Sequence, residues 1–170
     1  MDELGIRAPG DSALGRVVRR MTATRPASWV LARTLRHADR LVHWVTRGRT
    51  SVTGGLAGLP TIFLTTTGAR TGRARVAQLI AVPLGDDLAV IGSNFGQGHH
   101  PGWVHNVAKD PHCTVNYRGN SVQAVARQLE GTEAEGVWAT ARDLYHAFAI
   151  YPELAGGRSI RVFALEPRSA

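Results

Sequence analysis

From Pro60 onward the chain breaks into short β-type runs separated by turn-forming pairs, and this texture narrows the fold more than any other feature. The runs fall at 61–67, 75–84, 87–92, 113–118, 121–130 and 159–166. Asp86-Asp87 and Gly119-Asn120 stand between neighbouring runs, where hairpins place their turns. Two longer stretches, 101–109 and 132–149, are expected to be helices. The second opens on Thr132-Glu133-Ala134-Glu135, a composition suited to a helix N-terminus. Five or six short strands with two interspersed helices predict an α+β or barrel-like fold.

Upstream of Pro60 the pattern is different. Residues 1–27, with Gly5, Pro9 and Gly10 in their first part, read as a flexible basic tail. From Ser28 a helical stripe begins: Trp29, Leu31, Leu35, Ala38, Leu41, Val42 and Val45 recur at spacings of three and four. Ser28 suits the N-cap, and Gly48 the stop. Gly54, Gly55, Gly58 and Pro60 then mark a linker without periodicity. The expected organisation is a tail over 1–27, an amphipathic helix and Gly-rich linker over 28–59, and a β-rich domain over 60–168.

Composition sets the bounds. A chain of 170 residues with 44% apolar content can build one domain with a real core. The single cysteine, Cys113, excludes an intrachain disulfide and argues against a cysteine-based metal site. No stretch has the length and apolarity of a membrane span, and Met1-Asp2-Glu3 is unlike a secretory signal, so the expected compartment is the cytoplasm. Nineteen of the 20 basic residues are Arg, a bias typical of high-GC genomes that weakens arguments from Arg counts. Residues 1–50 carry a net charge of +6 and residues 51–170 only +1. The body is thus nearly neutral, which argues against a nucleic-acid partner.

Two segments concentrate residues able to do chemistry. The first is Leu64-Thr65-Thr66-Thr67-Gly68-Ala69-Arg70-Thr71-Gly72-Arg73-Ala74-Arg75-Val76, a strand end feeding a Gly-bounded basic turn. Guanidinium groups make charge-assisted, often bidentate bonds to phosphate, and glycines let backbone N–H groups converge on one concavity. The second is Ser93-Asn94-Phe95-Gly96, then His100-Pro101-Gly102-Trp103-Val104-His105-Asn106. Trp103 offers a wall for a planar ring or a core side chain; Asn106 can both donate and accept, toward a ligand or as a helix-to-barrel bond. His99, His100, His105 and His112 lack the spacing of a zinc motif, and no metal is expected. No catalytic triad, carboxylate pair or Walker-type loop is apparent.

These segments, with Tyr151-Pro152 and the closing run Ile160-Arg161-Val162-Phe163-Ala164-Leu165-Glu166-Pro167, closely resemble the deazaflavin-dependent nitroreductase family over roughly 61–167. The resemblance implies a split β-barrel of mostly antiparallel strands, as in many FMN-binding proteins. It implies reduced coenzyme F-420 as the cofactor, with hydride transfer to an electron-poor acceptor such as a quinone, nitroaromatic or activated alkene. It also implies cofactor contacts at Arg70, Thr71, Gly72, Arg75, Gln78, Ile91, Ser93, Asn94, Trp103 and Asn106. Ser93, Tyr145 and Tyr151 would line the substrate side, Tyr151 foremost with Tyr145 and Phe148 behind it. The chain departs from the family pattern at Ala69, where many relatives carry a second basic residue, and at Gln78, which is often Pro; Arg73 could take over the missing tail contact. In a cofactor enzyme of this kind the protein supplies position, field and water exclusion.

Alternatives stay open at this level. FMN could use the same arginines on the same fold, and a non-catalytic cofactor- or lipid-binding protein would share the features. The 28–47 helix reads either as a lid over the barrel mouth or as an interfacial helix at an anionic membrane, where a lipidic quinone would reside. Oligomeric state, monomer or homodimer, is not readable.

Overall fold

A computed structural model describes residues 59–168. The expected tail over 1–27 and the helix and linker over 28–59 lie outside the described residues apart from Leu59, and so do the lid and membrane readings of that helix.

The described part is an α+β half-barrel. Its strands are β1 (Thr61–Thr67), β2 (Ala74–Ile80), β3 (Val82–Leu84), β4 (Asp87–Ile91), β5 (His112–Tyr117), β6 (Asn120–Leu129) and β7 (Val162–Pro167). The α-helices are α1 (Gly102–Lys109), α2 (Gly131–Leu144) and α3 (Tyr151–Leu154), with tight 3₁₀ turns at Asn94–Gly96 and His146–Ala149. The strands form one sheet in the order β2-β1-β5-β6-β7-β4-β3, antiparallel at every pairing. β2 and β3 stand at opposite ends of that order, yet Ala81 alone separates them in sequence. One residue spans only about 3.5 Å. The sheet must therefore curl until its two ends meet, as the right-handed twist of strands allows.

Three expectations change here. The run 75–84 is two strands, because Ala81 is fully buried at the corner and its N–H donates to the Pro60 carbonyl at 2.8 Å. The helix expected over 132–149 ends at Leu144. Tyr145 is extended (φ −149, ψ 107), and the chain turns back so that Ala147, Phe148 and Tyr151 are buried with Val137 and Ala141. The last strand starts at Val162 and not at 159, since Gly156 and Gly157 (φ +62 and +85) hold the preceding segment in a loop. Seven strands result, against the six expected.

Two cores explain the alternation. Inside the curl, Ile62, Leu64, Val90, Val115, Ala124 and Leu165 meet Trp103, Val104 and Val107 from α1, which stoppers one end. On the outer face of β4 and β7, Ala89, Ile91, Val162 and Ala164 are covered by Val137 and Ala141 of α2 with Phe148 and Tyr151. β4 and β7 are thus apolar on both faces and read as continuous hydrophobic runs, whereas β5 and β6 alternate. Each fully buried Leu or Val contributes about 1.5–3 kcal/mol. Among the described residues, no helix is long and apolar enough to cross a membrane.

Candidate functional site

The strand register brings the two motifs to one end of the barrel. Thr66 stands opposite Cys113, His112 opposite Val125, Leu129 opposite Val162, and Val162 opposite Ile91. The ends of β1, β4 and β6 and the starts of β5 and β7 therefore share one rim. α1 seals that rim, and both motifs are tied to it.

The first motif is a rigid turn. The Gly68 N–H donates to the Arg73 carbonyl at 2.8 Å, and the Thr71 and Gly72 N–H groups both donate to the Gly68 carbonyl at 3.1 and 2.8 Å. A Cβ at Gly68 would lie 2.9 Å from Thr71 Oγ1 and 3.0 Å from the Arg73 carbonyl, so the turn closes only on glycine. Gly72 adopts φ +65, a left-handed conformation that favours glycine. Arg70, Thr71, Arg73 and Arg75 are all exposed. Among the described residues, no carboxylate pairs with these three arginines; the acidic partners serve Arg127 and His112 instead.

Asn106 fastens this turn to α1. Its amide oxygen accepts the Ala69 N–H at 2.9 Å, and its Nδ2 donates to Thr66 Oγ1 at 2.9 Å. Asn106 is only 8% exposed, so the helix-to-barrel bond is the role its geometry displays. Lys109, one turn on, donates to the Ala69 carbonyl at 2.7 Å. The ammonium is therefore held against the backbone of the turn at Ala69.

The second motif is a strained, clamped loop. Asn94, Phe95 and Gly96 all have left-handed φ values of +49, +56 and +74. The Gly96 N–H donates to the Ser93 carbonyl at 2.9 Å and the Gln97 N–H to the Asn94 carbonyl at 3.1 Å. The Asn94 amide donates to Gln97 Oε1 (3.3 Å) and the His99 carbonyl (3.1 Å). Ser93 is buried beneath the loop.

Arg158, which the motif reading overlooked, organises this loop from 58 or more residues away. Its guanidinium donates to the carbonyls of Gln97 (3.0 Å), Gly92 (3.2 Å) and Ser93 (2.8 Å), and to His100 Nδ1 at 3.1 Å. A guanidinium can only donate, so Nδ1 accepts and His100 is held neutral. Burial, then the positive charges of Arg158 and Arg161 with the imidazole of His105 nearby, push the His100 pKa below its ordinary 6.5. One arginine among twenty basic residues carries no sequence mark for such a role; the double glycine just before it was the available hint.

Other expected contacts sit elsewhere. Trp103 is turned into the barrel core, 6% exposed and edge-on to Phe163 at 5.6 Å, so it backs the loop and is no open wall for a ring. Ile91 lies in the outer-face core opposite Val162 and supports the site only from beneath. Gln78 is half-buried opposite Phe63, on the sheet face away from Ala77 and Leu79, which pack on the inner core. Tyr151 is 3% exposed, and burial followed by Tyr145 pushes its phenol well above the usual range, which keeps it neutral. Its ring packs edge-on against Phe148 (5.6 Å) and Phe95 (6.4 Å), while half-buried Tyr145 meets Phe148 at 6.0 Å. Beside them, Trp138, Arg142, Phe148, Ala149 and Pro152 line an open cleft of about 330 Å³.

Residues 37–167 match the family model described as F420H(2)-dependent quinone reductase. A curated F420H(2)-dependent quinone reductase of Mycobacterium tuberculosis is 35% identical over 57 residues, which cover 34% of this chain and 38% of the relative. The matched stretch thus spans well under half the length of the curated relatives. A solved F420-H2 dependent reductase (FDR-A) is 34% identical, with a TM-score of 0.58 over 63% of this chain and 94% of that one. A structure described as a domain-swapped dimer is 32% identical, with a TM-score of 0.59 over 83% of this chain and 99% of its own. The haem storage protein HutZ of Vibrio cholerae, 17% identical with a TM-score of 0.50, shares the fold alone. On the family match, which runs through the last strand, and on the fold shared with the solved reductase, this chain belongs to the F420H(2)-dependent quinone reductase family.

Proposed function

We propose that this protein binds reduced coenzyme F-420 at the rim sealed by α1 and reduces an electron-poor acceptor of the quinone class. The observation that carries the reading is the basic turn at 68–75, with three exposed guanidiniums and no acidic partner among the described residues, stapled by Asn106 and Lys109 to the helix that follows the clamped loop. Such a donor set suits a phosphodiester and an anionic tail, so the residues fit the cofactor. Bound, the deazaflavin supplies a hydride, and reduction of a quinone to the quinol takes that hydride and one proton.

The chain's own residues supply position and field. Arg70, Thr71, Gly72 and Arg75 hold the phosphate and tail, with Arg73 and Lys109 adding positive field. Ser93 and Asn94 frame the ring from the clamped loop, backed by Trp103 and Ile91. Asn106 acts through the turn it fastens. Tyr151, neutral and enclosed, orders Phe95 and Phe148, which leaves half-buried Tyr145 as the phenol better placed to face an acceptor. A peripheral membrane site for the enzyme belongs to the same reading, through residues 28–47, and sedimentation with anionic vesicles tests it.

The test is a fluorescence titration with coenzyme F-420, with FMN in parallel, for the native protein and for Arg70→Ala and Arg75→Ala. Micromolar or tighter binding of the deazaflavin is expected. Each substitution should weaken it by about 10- to 100-fold, one charge-assisted contact of about 1.5–3 kcal/mol, with little change in folding. Unchanged affinity in both variants removes the phosphate assignment, and preference for FMN replaces the cofactor on the same fold.

A further inference from the structure

Among the described residues, two large apolar side chains stand in solvent, Val76 at 52% and Phe95 at 41% exposure. Val76 lies on β2 at the end of the strand order, where an exposed β-branched residue is ordinary. Phe95 has no such excuse. It sits at φ +56, ψ 30, a left-handed conformation that glycine and asparagine accept and a bulky residue resists.

The fold nevertheless holds it there from three sides. Ser93 closes the turn through its carbonyl, which accepts from both Gly96 and Arg158. Gly96 presses on α3 so closely that a Cβ would lie 2.5 Å from Leu154 Cβ. The ring packs edge-on against buried Tyr151 and still leaves 41% of the residue's surface to solvent. Turn chemistry would be met better by glycine, and the cores gain little from a ring that points outward. The strain therefore has a use outside the fold: it presents a pre-ordered aromatic face on the loop beside Asn94.

We propose that Phe95 is the specificity-determining residue of the acceptor site, packing its exposed ring against the planar face of a fused-ring quinone. This rests on the quinone-reductase reading above. A bicyclic acceptor covers more of the ring than a monocyclic one, so Phe95 sets the preference between them.

The experiment uses the full chain and the variants Phe95→Gly and Phe95→Tyr. It compares kcat/KM for a naphthoquinone with that for a benzoquinone, melting temperature, and naphthoquinone binding without cofactor by quenching of tryptophan fluorescence. Phe95→Gly should lower the naphthoquinone preference about tenfold and weaken naphthoquinone binding by a similar factor. Its melting temperature should stay within about 4 °C of the native value, because relief of the left-handed strain offsets the packing lost on Tyr151. Phe95→Tyr, which keeps the ring, should hold the preference within about twofold of the native value. An unmoved preference in Phe95→Gly, or a preference lost equally in Phe95→Tyr, overturns the proposal. A native protein that binds naphthoquinone through Phe95 yet ignores coenzyme F-420 would instead sink the reductase reading and leave this site standing.

Discussion

Replacing Asn106 by alanine removes the staple between the basic turn and α1, and its cost can be worked out from two bonds. Both are 2.9 Å long, one from the Ala69 N–H and one to Thr66 Oγ1, and the hydroxyl is in a residue only 3% exposed. Each bond is worth about 1 kcal/mol net, with up to about 1 kcal/mol more for the Ala69 N–H left without a partner. Thr66 can still donate to the Arg75 carbonyl at 3.4 Å, so it loses a donor to its oxygen and keeps an acceptor. The expected destabilisation is about 2–3 kcal/mol, or roughly 8 °C in melting temperature for a chain of this size. Coenzyme F-420 affinity should fall about fivefold, since Arg70 and Arg75 remain but their turn is no longer pinned. Asn106→Asp discriminates between staple and filler. A carboxylate accepts from the Ala69 N–H and, after rotation of the hydroxyl, from Thr66, so most of the stability should return above the carboxylate pKa and fade below it. Denaturant melts and the fluorescence titration measure both effects. An Asn106→Ala protein within about 0.5 kcal/mol of native would refute the reasoning, because the two bonds would then carry nothing.

Two further outcomes follow from the loop. Gly96→Ala should cost about 2–4 kcal/mol, since the new Cβ meets Leu154 Cβ at 2.5 Å with φ at +74, whereas Gly72→Ala at φ +65 in open space should cost only about 1 kcal/mol; equal losses in urea melts would remove the close-approach argument. His100 binds a proton near pH 6.5 when unfolded and only below that in the fold, so stability is full above 6.5 and declines as pH drops through that value. His100→Gln, with a carbonyl oxygen to accept from Arg158, should flatten the loss of stability between about pH 7.5 and 5.5. Equal pH slopes in the two proteins would show that His100 carries none of it.

The sequence alone determined most of the strands and marked the basic turn. Period-two and continuous apolar runs located β1, β4, β5 and β6 within a residue or two, because burial of one or both faces writes itself into side-chain order. The Gly68–Gly72 turn was legible for the same kind of local reason: backbone conformations that only glycine tolerates mark themselves, and clustered arginines need no folding to be seen. Cys113, on β5 opposite Ala124, is buried at 4% exposure, and burial pushes its thiol up to about 11. Tertiary structure decided what local pattern does not encode. The corner at Ala81 became visible only once the curled sheet required one chain to serve both of its ends. Trp103 and Tyr151 have the composition of a ligand wall, but the two cores claimed their rings, since large apolar surface gains most where water is excluded altogether. Arg158 shows the limit most clearly. Its partners lie about sixty positions away, and a guanidinium acquires a role only when folding delivers three carbonyls and a neutral imidazole to within reach of its five donors.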